Sequence, residues 1–121
     1  YSFMNLEKTH YATVESIKEK YKVLYQDSPI VESAEVVRLT EHYNGKVLPA
    51  VVYFPRDAFL QIKTNKENET TYCSIKGHAS YWTYRDAKMG IWCYENPMEE
   101  VSIIQDHYAF DQNKGFRVTP A

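Results

Sequence analysis

Between Cys73 and Trp82 the chain places a thiol, an ammonium, an imidazole, a glycine and two large aromatic rings within ten residues, Cys73-Ser74-Ile75-Lys76-Gly77-His78-Ala79-Ser80-Tyr81-Trp82. Cys73 could serve as a nucleophile or redox thiol, since positive charge on Lys76 or His78 would favour its thiolate. The competing reading is a small buried hydrophobe, the usual fate of a free cysteine. Lys76-Gly77 could hold a phosphate or carboxylate, the glycine letting a ligand approach the backbone. The same pair also suits a tight turn carrying a solvated lysine. It is not a phosphate-binding Walker loop, because the upstream glycines and the following Ser or Thr are missing.

Other candidates lie outside this run. Arg56 follows Pro55 at an expected strand end, and its planar guanidinium suits a carboxylate or phosphate; an internal ion pair with Asp57 or Glu41 is the alternative. Glu41 is a base or ligand contact if buried, and a surface charge otherwise. Tyr81, Trp82, Trp92 and Tyr94 are core aromatics by default, or walls on which a planar ligand stacks. The four histidines are scattered without metal-ligand spacing, and zinc would require Cys73, Cys93 and a histidine to converge. No metal or cofactor is therefore expected, and no nucleophile elbow is present. The leading expectation is a pocket for an anionic, partly planar small molecule near Lys76, Tyr81, Arg56 and Cys73, with Glu41, Trp82 and Trp92 as further contacts. Two alternatives stay open: a small enzyme using Cys73 or Lys76 as reacting group, and a protein-interaction module that self-associates into a homo-oligomer.

The elements that must position these residues read as strands. Residues 1–8 suggest a frayed extension. Tyr11, Val14, Ile17 and Tyr21 recur at three- and four-residue steps, which predicts a short amphipathic helix. A hairpin follows, Lys22–Tyr25 returning through Gln26-Asp27-Ser28-Pro29 into 29–33. Glu35–Glu41 is a further strand ending in a turn built on Asn44-Gly45. Ala50–Phe54 reads as a buried strand that stops at Pro55, with a single helical turn over 55–60. Polar 64–70 reads as a loop. Strands are expected near 70–75, 79–85, 90–94 and 107–111, with 115–118 pairing back on the last of these. On 79–85, alternation sends Ala79, Tyr81, Thr83 and Arg85 to one face and Ser80, Trp82 and Tyr84 to the other. Short, evenly spaced strands predict a mostly β, compact antiparallel sandwich or barrel-like domain and disfavour a Rossmann arrangement.

The bulk numbers agree with one domain. The chain has 121 residues, a net charge of −2 and 11 tyrosines, room for a single core. Charge is spread evenly over both halves, which argues against nucleic acid and anionic membranes as partners. No apolar run is long enough to span a bilayer. Two cysteines alone favour reduced thiols and a cytoplasmic setting.

Tyr53-Phe54-Pro55-Arg56, the Cys73–Trp82 run, Trp92-Cys93-Tyr94-Glu95-Asn96-Pro97 and Ala109-Phe110 occur in an order that resembles domain-of-unknown-function family 427, also labelled nucleotidyltransferase family 9. The resemblance spans about residues 22–118, leaving 1–21 as an extension with its helix. It departs at Ser74-Ile75, where the family more often has Pro-Tyr, so no role carries over to those two. It implies a compact antiparallel β domain with a distant likeness to tent-like β folds that often hold zinc; the transferase label is a name rather than an activity.

Overall fold

The computed structural model describes residues 9–121, so the expected extension at 1–8 lies outside the described residues. Among the described residues eleven strands form two antiparallel sheets. β2 (Tyr21–Tyr25), β3 (Ser28–Ser33) and β11 (Phe116–Pro120) make the smaller one, in the order β11-β2-β3. The larger sheet runs β1 (His10–Ile17), β4 (Val36–Tyr43), β6 (Val51–Pro55), β10 (His107–Phe110), β9 (Ala87–Cys93), β8 (Gly77–Tyr84) and β7 (Asn65–Cys73). The two-residue β5 (Lys46–Val47) hangs on β4. The mostly β, antiparallel expectation holds, as an open curled sheet and a small second sheet rather than a closed barrel.

The helix expected over Tyr11–Tyr21 is instead strand β1 through Ile17, a short connection and the first residue of β2. β1 pairs with β4 along its whole length, from His10 opposite Tyr43 to Ile17 opposite Val36. Ala12 and Val14 turn inward while Tyr11, Thr13 and Glu15 stay exposed, a period of two that the helical spacing of the larger side chains masked. The β-branched Thr13, Val14 and Ile17 fit a pleated surface better than a helix. The polar stretch expected as a loop over 64–70 is most of β7, an edge strand. Its Lys66, Glu67 and Glu69 suit an edge, where charge discourages pairing with other chains, and its pairing with β8 shifts register between Lys66 and Thr70.

β11 does not fold back on β10. After β10 the side chain of Asp111 accepts from the Asn113 amide and caps a short 3₁₀ turn, η2 (Gln112–Lys114). Gly115 follows at φ 91°, a left-handed conformation that redirects the chain. Phe116 thereby pairs with Tyr25 on β2. The Asn44-Gly45 turn forms as expected, both residues at positive φ.

The large sheet buries both faces. One face packs on the small sheet and on the single-turn α1 (Arg56–Phe59), through Phe54, Trp82, Tyr84, Ile91, Cys93, Tyr108 and Phe110 against Val23, Tyr25, Val31, Phe59 and Phe116. This core is largely aromatic. Phe59 stacks on Tyr108 with ring centres 3.9 Å apart, and Trp82 meets Tyr108 edge-on at 5.1 Å. The other face carries Val37, Leu39, Tyr53, Ala79, Tyr94 and Ala109, with Val101 and Ile104 from the 3₁₀ segment η1 (Glu99–Ile104). Ala12 and Val14 of edge strand β1 and Cys73 of edge strand β7 join this second cluster, so the sheet curls its two edges toward one another around it. No helix among the described residues is long and apolar enough to cross a membrane.

Phe59→Ala removes the ring that seats Tyr108 and leaves a cavity in the aromatic core. It is expected to cost about 3–5 kcal/mol in a urea unfolding experiment. Gly115→Ala forces a Cβ to within 3.1 Å of the Tyr25 ring at an unfavourable φ and is expected to cost about 1–2 kcal/mol.

Candidate functional site

The inner face of the curl is where charge meets aromatic surface. β4 is second in the large sheet and β8 sixth, which in a flat sheet would separate them by roughly 19 Å at about 4.8 Å per strand. Curling brings the Lys76 ammonium, in the turn between β7 and β8, to 3.1 Å from Oε1 of Glu41 on β4. Lys76 is only 14% exposed and Glu41 22%. The other carboxylate oxygen of Glu41 lies 2.8 Å from Nε2 of His10 on β1. The Lys76 turn is fixed by its backbone: the Lys76 amide donates to the Cys73 carbonyl, and the Lys76 carbonyl accepts from the Met98 amide. Gly77, at φ 108°, lies under the 96–98 crossing, where an added Cβ would come within 3.2 Å of the Asn96 carbonyl.

Partial burial pushes the Glu41 carboxyl upward, but hydrogen bonds from His10 and Lys76 outweigh it and hold it below the usual carboxylate value. The Lys76 ammonium also sits 5.6 Å from the centre of the Tyr94 ring, a favourable cation–π distance. Burial pushes the hydroxyls of Tyr94 and Tyr53 well above their ordinary range, so both act as neutral groups. Tyr53 accepts a hydrogen bond from the Trp92 indole at 3.2 Å, and Tyr81 shares one with the Thr71 hydroxyl at 2.6 Å.

These groups line one cavity of about 320 Å³. Lys76, Tyr81, Trp92 and Tyr94 form its walls together with Tyr53, Thr71, Asp111 and Lys114. A larger cavity of about 630 Å³ lies between β1, the β7–β8 turn and η1, with His10, Ile75, Met98 and Glu100 on its walls. Glu41 thus connects a wall residue of one cavity, Lys76, to a wall residue of the other, His10.

The structure divides the residues singled out in the sequence. Lys76, Tyr81, Trp92 and Glu41 come together on the inner face, and Cys73 packs against the same cluster. Arg56 does not join them. It donates to the Tyr108 hydroxyl at 3.1 Å on the opposite side of the sheet, and neither Asp57 nor Glu41 pairs with it as sequence reasoning had offered. Trp82 is also on that side, buried beneath Phe59 and Tyr108. The four-residue grouping of Lys76, Tyr81, Arg56 and Cys73 therefore does not form, because Arg56 belongs to α1 and α1 packs on the other face. Cys93 is likewise on the far face, where burial pushes its thiol up to about 12. Among the described residues no group of three potential metal ligands converges. Tyr94, offered in the sequence as a core aromatic or a stacking wall, lines the cavity, whereas the contributions of Tyr53, Thr71 and Lys114 were not legible as site residues. The alternation of Tyr53 against its neighbours was the one signal available.

The chain belongs to the family described as a domain of unknown function (DUF427), named as a ninth nucleotidyltransferase family, which matches residues 13–119. The match begins within β1, earlier than the resemblance had suggested, in keeping with β1 being part of the large sheet. No curated protein matches the chain at a significant level.

Because Glu41 titrates lower in the folded than in the unfolded chain, it adds stability above its ordinary value of 4.5 that is lost as pH falls through the folded value. Glu41→Gln is expected to flatten that part of an acid unfolding curve; an unchanged acid limb would show that the ion pair is not formed in solution. The two thiols should also differ. Iodoacetamide at pH 8 is expected to label Cys73 in the native protein and Cys93 only after unfolding, with peptide mass spectrometry as the readout.

Proposed function

We propose that the inner face of the curled sheet binds a small, planar anion. The observation that carries this reading is the Lys76 ammonium, sunk to 14% exposure between the Glu41 carboxylate and the Tyr94 ring, on the wall of a cavity shared with Tyr81 and Trp92. An ammonium has three protons to donate, and Glu41 takes one direction, leaving donors for a ligand. Tyr81 and Trp92 offer flat apolar surface for a ring, the usual mixture in small-molecule sites. Lys114 adds a second positive charge on the same walls, opposed by Asp111.

The geometry favours binding over a reaction at Lys76. An amine attacks through a free lone pair, and the ion pair with Glu41 keeps this nitrogen engaged as a donor. Cys73 packs against the same cluster and is the group an electrophilic ligand would meet. Self-association has its own support: Tyr11, Tyr43, Val47 and Leu48 are exposed around the β4–β5 end. Light scattering checks it, a mass near 14.2 kDa excluding a stable dimer.

The ligand reading is tested by calorimetry and thermal shift with 2-naphthalenesulfonate, aromatic carboxylates and nucleotides. A ligand at about 100 times its dissociation constant adds about 2.7 kcal/mol of stability. Lys76→Ala is expected to weaken binding at least tenfold, whereas Arg56→Ala, on the other face, leaves it within twofold. Equal losses in both variants, or no binding by any of these anions, would contradict the reading.

A further inference from the structure

We propose that His10 tunes the anion affinity of the inner face: a proton taken up by its imidazole is felt at Lys76 through the carboxylate they share. The inference rests on the inner-face binding reading and adds its regulation. The geometry is a row of three groups on three separate parts of the chain. His10 Nε2 is 2.8 Å from one oxygen of Glu41, and Lys76 Nζ is 3.1 Å from the other. His10 on its strand is 31% exposed and lines the larger cavity, so solvent protons reach it without passing the binding surface.

The neighbours of His10 leave this charge change uncompensated. From β4 come Glu41 and the Tyr43 ring, which meets the imidazole edge-on at 5.1 Å. β5 sets Lys46 opposite Tyr43. Tyr11 follows on the same strand, and Glu100 of η1 shares the cavity wall. Histidine is the side chain that ordinarily changes charge between pH 5 and 8. Carboxylates as a class titrate below that range, and lysines and tyrosines above it.

With the imidazole neutral, Nε2 carries the hydrogen that Glu41 accepts, and the carboxylate cancels the Lys76 ammonium. With the imidazole protonated the trio carries one net positive charge. Glu41 is then shared between two cations, and the field of Lys76 toward the cavity is less compensated. A unit charge about 8 Å from a bound anion, at a partly exposed depth, changes affinity by about fivefold. The site therefore holds anions more tightly as pH falls.

The experiment is calorimetric titration of the full chain with 2-naphthalenesulfonate, whose charge is constant between pH 8 and 5, at fixed ionic strength. Wild type is expected to bind about fivefold more tightly at pH 5 than at pH 8. His10→Gln keeps a donor for Glu41 but cannot take up charge, and is expected to bind with the wild-type pH 8 affinity throughout. A flat wild-type profile, or a pH response that survives in His10→Gln, overturns the inference while leaving the binding surface standing. Absence of binding to wild type at every pH overturns both.

Discussion

The large sheet has to bury both of its faces, and everything else in the fold follows from that demand. A strand buried on both sides cannot alternate apolar with polar; it must alternate two kinds of apolar residue. β10 shows the result in four residues, Tyr108 and Phe110 entering the aromatic core while Ala109 faces the inner cluster. The small sheet and α1 cover one face with aromatic bulk. Among the described residues no second sheet covers the other face; there the sheet curls on itself and η1 fills part of the hollow.

That curl creates the candidate site. It closes a distance that a flat sheet would leave open, and the Lys76–Glu41–His10 row spans it. Tyr81, Trp92 and Tyr94 stand on the walls of its smaller cavity. Among the described residues no buried side-chain nitrogen or oxygen lacks a partner. A polar network satisfied in this way fixes its members in place, which is what a preformed binding surface requires.

Much of this was legible in the sequence. Alternation along 79–84 correctly separated Tyr81 from Trp82, and the Asn44-Gly45 turn announced its hairpin. The dense run from Cys73 to Trp82 falls at the end of the sheet where Lys76 meets Glu41. What failed did so for physical reasons. In β1 the large residues Tyr11, Val14 and Ile17 fall at helical spacing, but Ala12, too small to register as a core residue, carries the inward face with Val14. In β7 the polar residues that signal a loop are those an edge strand needs. Arg56 looked like a site residue because it ends a strand, yet which face of a sheet a following helix covers is settled by tertiary packing. The Glu41–Lys76 pair, 35 residues apart in the chain, had no local signature at all.

Ligand is expected to meet the inner face and not the aromatic core. The two tryptophans report on these faces separately, Trp92 from the inner face and Trp82 from the core. The most direct measurement is therefore an amide and indole proton–nitrogen correlation spectrum during titration with 2-naphthalenesulfonate. The Trp92 indole signal is expected to move together with the amides of Thr71, Lys76 and Tyr81, while the Trp82 indole stays in place. Movement of Trp82 without Trp92, or of neither at saturating anion, would contradict binding at the inner face.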